Sequence, residues 1–567
     1  MISISSKNWI EKKVNKNLID KIKQDFNLNE IISKLIVSRN FDIEEITNIY
    51  KDLSVTNIFK NTFDFNYSSD LLIDSINKNE KICILGDYDV DGTAATSLLV
   101  KYFKHINQSY FYYIPDREKD GYGATKKLFQ KLIINRPKLV IMVDCGSTSN
   151  KAIDFLNENN IKSIIIDHHE ISKPYPKSNS IINPKKNCGY KKYQYLCATA
   201  LTYFFLEILL KKKKSSFKLS NFLIYVLLAT VCDVMPLRKI NRIIAKNVIN
   251  KFNIKDCLSL KILFDQMEIN RKITIDDLGY LLGPIINSGG RLGYSNYGTE
   301  LLTSNDHQVL KKKSIELIKL NNKRKKIEEI ILNEINFEKI EKENKNVIIY
   351  YKSNLNEGLI GIIAARLKEH FNKPAIVITN SKDILKGSAR SIDSYSIGNL
   401  IKLLLDNKII EKGGGHDMAA GFIIKKENIK LLDNLIQKDY LKMNKNFRIL
   451  DEYDLTISSS LINNKFIDEI NKIGPFGNGN RSPLFLIKNL KIIKSKLLKN
   501  KHVSSILKSN KGSSIKSICF NCSDTEIAEY LLHYKKQINI IAEINENHWN
   551  NKKFAQLNIK DIILKTN

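Results

Sequence analysis

The sequence predicts an α/β protein in three parts: a parallel-sheet domain, a second α/β domain joined to it by a long helix, and a C-terminal small β-barrel. Three observations carry this. Lys81-Ile-Cys-Ile-Leu85, Leu139-Val-Ile-Met-Val143 and Ser163-Ile-Ile-Ile166 are apolar runs without polar alternation, which reads as strands covered on both faces, as in a parallel sheet flanked by helices. Strand-like and helix-like patterns alternate around these runs, as a parallel α/β domain requires. The last stretch of the chain reads instead as short strands separated by Asn, Gly and Ser.

Taken in order, residues 1–75 read as a helical segment with Asn-rich breaks and no recognisable motif. Residues 76–240 form the alternating domain. Residues 241–344 read as a helical connector that ends in the apolar-and-charged periodicity of Lys311 to Asn344, whose charge runs fit a solvated helix face. The second α/β domain, 345–445, opens with the strand Val347–Tyr351, the helix Gly358–His370 and the strand Pro374–Thr379, followed by glycine loops at Gly387 and Gly413. Residues 446–567 form the barrel.

Each of the three apolar runs finishes in an aspartate: Asp87, followed by Asp89 and Asp91; Asp144; and Asp167, followed by His168 and His169. In open parallel sheets the ligand crevice lies beyond the carboxyl ends of the strands, so these groups converge there. A fourth acid, Asp233, ends the apolar helical run Phe222–Cys232. Acid at a strand end is also ordinary cap chemistry, so no single run carries the inference. Clustered carboxylates need a counter-charge, and an oxygen-rich set with one imidazole suits Mg²⁺ or Mn²⁺ better than zinc. A calcium loop at Asp87–Gly92 is excluded because Leu98 stands where the twelfth-position Glu belongs and a strand precedes the loop.

Asp87-Tyr-Asp-Val-Asp-Gly92, Val143-Asp-Cys-Gly-Ser147, Asp167-His-His169 and Asp233-Val-Met-Pro-Leu237 resemble the four motifs of DHH phosphoesterases. Asp116-Arg117 through Gly123, Asn287-Ser-Gly-Gly-Arg291, Gly387-Ser388-Ala-Arg390, Gly413-Gly-Gly-His416 and Gly474-Pro-Phe476 follow in the order of that family's single-strand exonuclease branch. The resemblance spans nearly the whole chain. It implies that Asp87, Asp89, Asp144, His168 and Asp233 hold one or two Mn²⁺ or Mg²⁺ ions. Asp167 and His169 would orient ligands or meet the substrate phosphate. It also implies an oligonucleotide-binding (OB-like) barrel, 5′-to-3′ exonuclease action on single-stranded DNA in repair and recombination, and a pocket for the terminal 5′ phosphate made by Arg117, Ser388 and Arg390.

The residues themselves add phosphate-binding candidates. Gly415 and its neighbours let backbone N–H groups approach a phosphate beside His416, and Arg291 and Arg390 stand out in a chain whose cations are mostly Lys, because Arg offers a bidentate fork. In the barrel, Phe476, Tyr453, Phe485, His502 and Trp549 are candidate stacking platforms, of which one or two are expected to meet bases. Two departures bear on grip: Leu355-Asn356 stands where relatives read Trp-His, and Ile285 follows Pro284 where many have Arg.

Lys and Arg number 90 against 60 acids, a formal charge of +30, which suits nucleic acid or an anionic surface, although the Lys-, Asn- and Ile-rich composition supplies part of it. No amino-terminal stretch has the pattern of a secretion signal and no segment is a membrane span, so a cytoplasmic protein without a membrane partner is expected. Single-stranded DNA is the expected partner, with a helicase and a single-strand-binding protein as candidate protein partners. The cysteines read as reduced small hydrophobes, Cys519-Phe-Asn-Cys522 included. Two alternatives stand beside the exonuclease: a DHH phosphodiesterase acting on short oligonucleotides or cyclic dinucleotides, and a catalytically inactive DNA-binding relative, against which the intact acids argue.

Overall fold

The computed structural model describes the whole chain except residues 117–118, 122, 187–188, 382–383, 444–449, 510–513, 535, 550–551 and 565–567. The chain forms two compact units. Val55–Met235 and Val248–Phe447 make one; Met1–Ser54, Pro236–Asn247 and Arg448–Asn567 make the other.

The larger unit holds two sheets. The first has five parallel strands in the spatial order Tyr110–Tyr113, Ile82–Leu85, Leu139–Val143, Lys162–Ile166, Ser180–Ile182. All three expected strands are central, and both faces are covered. Cys83, Leu85, Val140, Met142 and Ile165 pack on the helices Lys126–Leu132 and Asn150–Glu158. The alternate residues Ile84, Ile141 and Ile166 are equally buried, on the side of Phe63–Asn77, Val90–His105 and Ala198–Lys213. Continuous apolar runs are what a strand buried on both faces needs.

The second sheet is mixed, in the order Ile410–His416, Ala419–Ile424, Ile384–Arg390, Ala375–Ser381, Ile348–Tyr351, with only the last pair parallel. Here the expectation of glycine loops is corrected: Gly387 and Gly413–His416 lie within strands. The glycines serve close packing. A Cβ on Gly387 would sit 2.2 Å from the Phe422 ring, and one on Gly413 2.9 Å from Ile401. The helix His307–Asn333 runs towards this sheet, started by Asp306, whose carboxylate accepts the N–H groups of Gln308 and Val309. It stops short of the expected Asn344, because Asn336 caps a separate helix, Phe337–Lys342.

In the smaller unit, six strands run in the order Leu455–Ile457, Phe485–Leu498, His502–Ser509, Ser514–Cys519, Lys552–Leu564, Ile538–Trp549, and pairing of Ile538–Trp549 with Phe485–Leu498 closes a barrel. The amino-terminal segment is part of it. Ile32, Leu35, Ile36, Ile46 and Ile49 share one core with Leu455, Phe485, Ile540 and Ile562, and Trp9–Glu11 pairs in parallel with Asp451–Tyr453. The Asn-rich breaks are helix starts: Asn15 and Asn29 accept backbone N–H groups at their N-caps, and Asp42 with Glu45 forms a capping box. Buried Asp561 accepts from Ser3 Oγ at 2.6 Å and Trp9 Nε1 at 2.8 Å. The fully buried Arg242 donates to Asn48 Oδ1 at 2.9 Å and the Lys472 carbonyl at 3.0 Å.

Candidate metal centre

Strand order locates the site. Chain direction across the first sheet switches between Ile82–Leu85 and Leu139–Val143, and such a switch point opens a crevice beyond the strand ends. Asp87 and Asp144 follow those two strands. The backbone there is tightly folded: a Cβ on Gly92 would lie 2.5 Å from the Asp87 nitrogen. Asp89 caps the helix Val90–His105 by accepting the Gly92 N–H at 3.1 Å. Asp144 takes a left-handed backbone, φ 61°, a strained conformation of the kind that concentrates at functional sites.

The five expected ligands come together. Ligand atoms of Asp87, Asp89 and Asp144 lie within 4.8 Å of one another, as do those of Asp144, His168 and His169, and those of Asp91, His168 and Asp233. His168 Nε2 is 3.3 Å from Asp144 Oδ1 and 3.4 Å from Asp233 Oδ2. Both of those carboxylate oxygens are buried and accept no hydrogen bond. Burial first, then the neighbouring acids, pushes the Asp144 and Asp233 carboxyls well above the usual range. Burial likewise drives the His168 imidazole to its neutral form. Orphaned, crowded oxygens beside a neutral imidazole fit a hard divalent cation, which would satisfy the oxygens and cancel their repulsion.

Asp167 sits behind this cluster. Its carboxylate accepts the N–H groups of His168 at 2.8 Å, His169 at 3.1 Å and Ser147 at 3.1 Å, and lies 2.8 Å from His169 Nδ1. Burial works against its charge, yet the imidazole beside it holds the carboxyl well below the ordinary value. The same contact outweighs burial at His169 and raises its pKa to about 9. His169 stacks on His416 of the second sheet, ring centroids 5.8 Å apart and 16° from parallel.

A run of close approaches leads onward from the Asp87–Asp89 loop. A Cβ on Gly290 would lie 2.8 Å from Tyr88; Arg291 donates to the Gly358 carbonyl at 2.9 Å; a Cβ on Gly361 would lie 2.7 Å from Arg390 Nη2 and 3.1 Å from Ser388 Oγ. Ser388 and Arg390 therefore flank the start of the helix Ile360–Phe371, and the positive end of a helix dipole favours an anion. Gly415 and His416 lie on the edge strand of their sheet, so a phosphate would meet a strand edge there rather than a loop. Arg117 lies outside the described residues; its neighbour Asp116 lies beside Gly293. In the barrel, Phe476 is half-buried against the core, and Tyr453 and Phe485 are core residues with no face for a base. His502 accepts the Asn521 N–H at 2.9 Å and meets the exposed Phe520 edge-on.

Two contributors escaped the sequence reading. Asp91 accepts the N–H groups of Ala198 at 2.7 Å and Thr199 at 2.8 Å, joining the metal loop to the start of Ala198–Lys213. Buried Asn183 donates to Ser147 Oγ at 2.8 Å and the His169 carbonyl at 2.9 Å, fixing the histidine loop from the last strand. Asp91 stands among like acids in Asp87-Tyr-Asp-Val-Asp, where nothing local marks its distant partner, and a lone Asn gives no pattern to find.

Residues 81–231 match the DHH family, N-terminal domain, and residues 344–440 match the DHHA1 domain. With the parallel sheet and its acid cluster, these matches make the two α/β domains similar to those of the DHH family. Residues 453–561 match the RecJ OB domain, and the chain resembles the RecJ branch of that family in all three of its matched domains. The single-stranded-DNA-specific exonuclease RecJ of Bacillus subtilis (strain 168) is 28% identical over 574 residues, covering 98% of this chain and 71% of the relative. That of Haemophilus influenzae is 29% identical over 500 residues, covering 83% and 86%. The crystal structure of RecJ in complex with Mn²⁺ from Thermus thermophilus has the same fold, with a TM-score of 0.81 at 19% identity over 99% of this chain and 80% of that one. Among the described residues no helix is long and apolar enough to cross a membrane.

Proposed function

We propose that the protein is a metal-dependent exonuclease that hydrolyses single-stranded DNA from the 5′ end towards the 3′ end. The observation that carries the reading is the cluster of Asp144, His168 and Asp233, in which the buried Asp144 Oδ1 and Asp233 Oδ2 crowd the imidazole and accept no hydrogen bond. The RecJ relatives supply the substrate class.

Asp87, Asp89, Asp144, His168 and Asp233 would hold Mn²⁺ or Mg²⁺, which supplies Lewis acidity for phosphodiester hydrolysis. The chain's own side chains do the rest. Asp167 keeps His169 oriented and charged, so its imidazolium faces an incoming phosphate. Ser388 and Arg390, with Arg117, would ligate a terminal 5′ phosphate, a dianion that an internal phosphate does not present; Arg291 braces the loop before that pocket. On the barrel, the exposed Lys488, Lys491, Lys494 and Lys496 of one strand offer a cationic surface that suits single-stranded nucleic acid. On this reading the protein would act in the cytoplasm, where a helicase and a single-strand-binding protein would present its strands.

The test is digestion of end-labelled DNA with Mn²⁺ or Mg²⁺. Single strands should be degraded and blunt duplexes spared, with mononucleotides released first from a 5′ label. Arg390→Ala should lower activity about ten- to a hundred-fold more on 5′-phosphorylated than on 5′-hydroxyl strands, the size of a lost charge-assisted hydrogen bond. Release from a 3′ label first, or equal loss on both strands, would refute the end assignment. Activity confined to dinucleotides would favour the short-substrate phosphodiesterase.

A further inference from the structure

Beside the metal centre, one glutamate oxygen sits where an anion is held. Glu170 Oε1 lies 2.9 Å from Lys185 Nζ and 4.0 Å from His416 Nδ1. The arrangement is lopsided: the Lys185 side chain is only 16% exposed, whereas that of Glu170 is 68% exposed. A cation largely removed from water needs an anion, but an exposed carboxylate gains little by pairing. The lysine is held from behind, because its own N–H donates at 2.8 Å to Asn183 Oδ1, and Asn183 in turn binds the His169 carbonyl. His416 stacks on His169. Lys185, His416 and His169 thus ring one spot beside the ligand His168, and the positive charge of Lys185 is felt at His168, Asp233 and His416.

We propose that Lys185 is a phosphate-binding residue of this active site, and that Glu170 occupies its place until a backbone phosphate of the single strand displaces it. The inference rests on the nuclease reading for the identity of the strand. Glu170 then acts as a weak internal competitor, swinging into solvent when the phosphate arrives. The lysine and the glutamate therefore have opposite effects on affinity, although they form one ion pair. A pair that merely tied two loops together would give both substitutions the same sign.

The experiment measures binding of a short fluorescent 5′-phosphorylated oligothymidylate by anisotropy without added divalent ion, and KM and kcat with Mn²⁺. Lys185→Met should weaken binding and raise KM about tenfold or more, and lower the slope of log affinity against log salt by about 0.7, one phosphate contact on a single strand. Lys185→Arg should recover part of the loss. Glu170→Gln should bind several-fold more tightly with a lower KM. Melting temperatures identify a variant that failed to fold, in which case Lys185→Arg and Glu170→Gln carry the comparison. Loss of affinity in both Lys185→Met and Glu170→Gln, or an unchanged salt slope, would overturn the proposal. A wild-type enzyme that bound strands without cutting them would overturn the nuclease reading instead, and the anisotropy would still decide the role of Lys185.

Discussion

Asp167 meets His169 through both backbone and side chain: one carboxylate oxygen accepts the histidine N–H at 3.1 Å and lies 2.8 Å from its Nδ1. This fixes the ring's orientation and favours its protonated form. Asp167→Asn should leave a folded protein whose kcat falls about 10- to 100-fold, the usual effect of losing a residue that orients a metal-site histidine. Steady-state kinetics beside circular dichroism check it; an unchanged kcat would show that the orientation of His169 is immaterial.

The crowded acids make a second prediction. Mn²⁺ at a hundred times its dissociation constant should stabilise the larger unit by about 2.7 kcal/mol. Asp144→Ala should abolish hydrolysis and most of that thermal shift. The metal-free variant loses the repulsion between Asp144 and its neighbours Asp87, Asp89, Asp91 and Asp233, which offsets the strain of Ala at φ 61°, so its melting point should fall far less than its Mn²⁺ shift does. Calorimetric melts with and without Mn²⁺ decide it.

In the smaller unit, Glu45 should govern acid stability. Arg238 donates to it twice at 2.6 Å, and Lys239 N–H once at 2.9 Å. Burial opposes the charge, but these bonds prevail and hold the carboxyl below its ordinary value of 4.5. A lowered folded pKa contributes stability that is present above the unfolded value and lost as pH falls through the folded one. Glu45→Gln should therefore cost on the order of 2 kcal/mol at pH 7, with a shrinking penalty below about pH 4.5. Urea melts across that range test the sign.

Leu35 is fully buried in the barrel core. Leu35→Ala should destabilise the smaller unit by about 2–5 kcal/mol, and removing residues 1–54 should leave a barrel that does not fold. A truncated protein with a native barrel melt would show that the amino-terminal helices are dispensable.

The readable parts of the sequence were those where one physical demand dominates. A strand buried on both faces must be apolar throughout, so Ile82–Leu85, Leu139–Val143 and Lys162–Ile166 announced themselves, and the acids at their ends marked the crevice. The glycines of Gly413–His416 misled because Gly signals both loops and crowded strands, and only the Phe422 and Ile401 side chains distinguish the two. The helix faces of Ile32–Ile49 were visible, but nothing local to them says that their partner is a barrel near the other end of the chain. Asp91 was hidden by its companions: in Asp87-Tyr-Asp-Val-Asp every acid looks alike, yet one of them caps a helix that starts at Ala198.

That long-range partnership sets a timetable for synthesis. Arg39 grips Asp454 across 415 positions of sequence, and a ribosome adding about 5–20 residues per second needs about 20–80 s to bridge that interval. Through all of it the apolar faces of Glu30–Ser38 and Ile43–Tyr50 wait uncovered while the larger unit is made and folds. The nascent chain therefore carries a sticky amino-terminal handle for most of its translation, and chaperone depletion should strand it as aggregate before the barrel ever emerges.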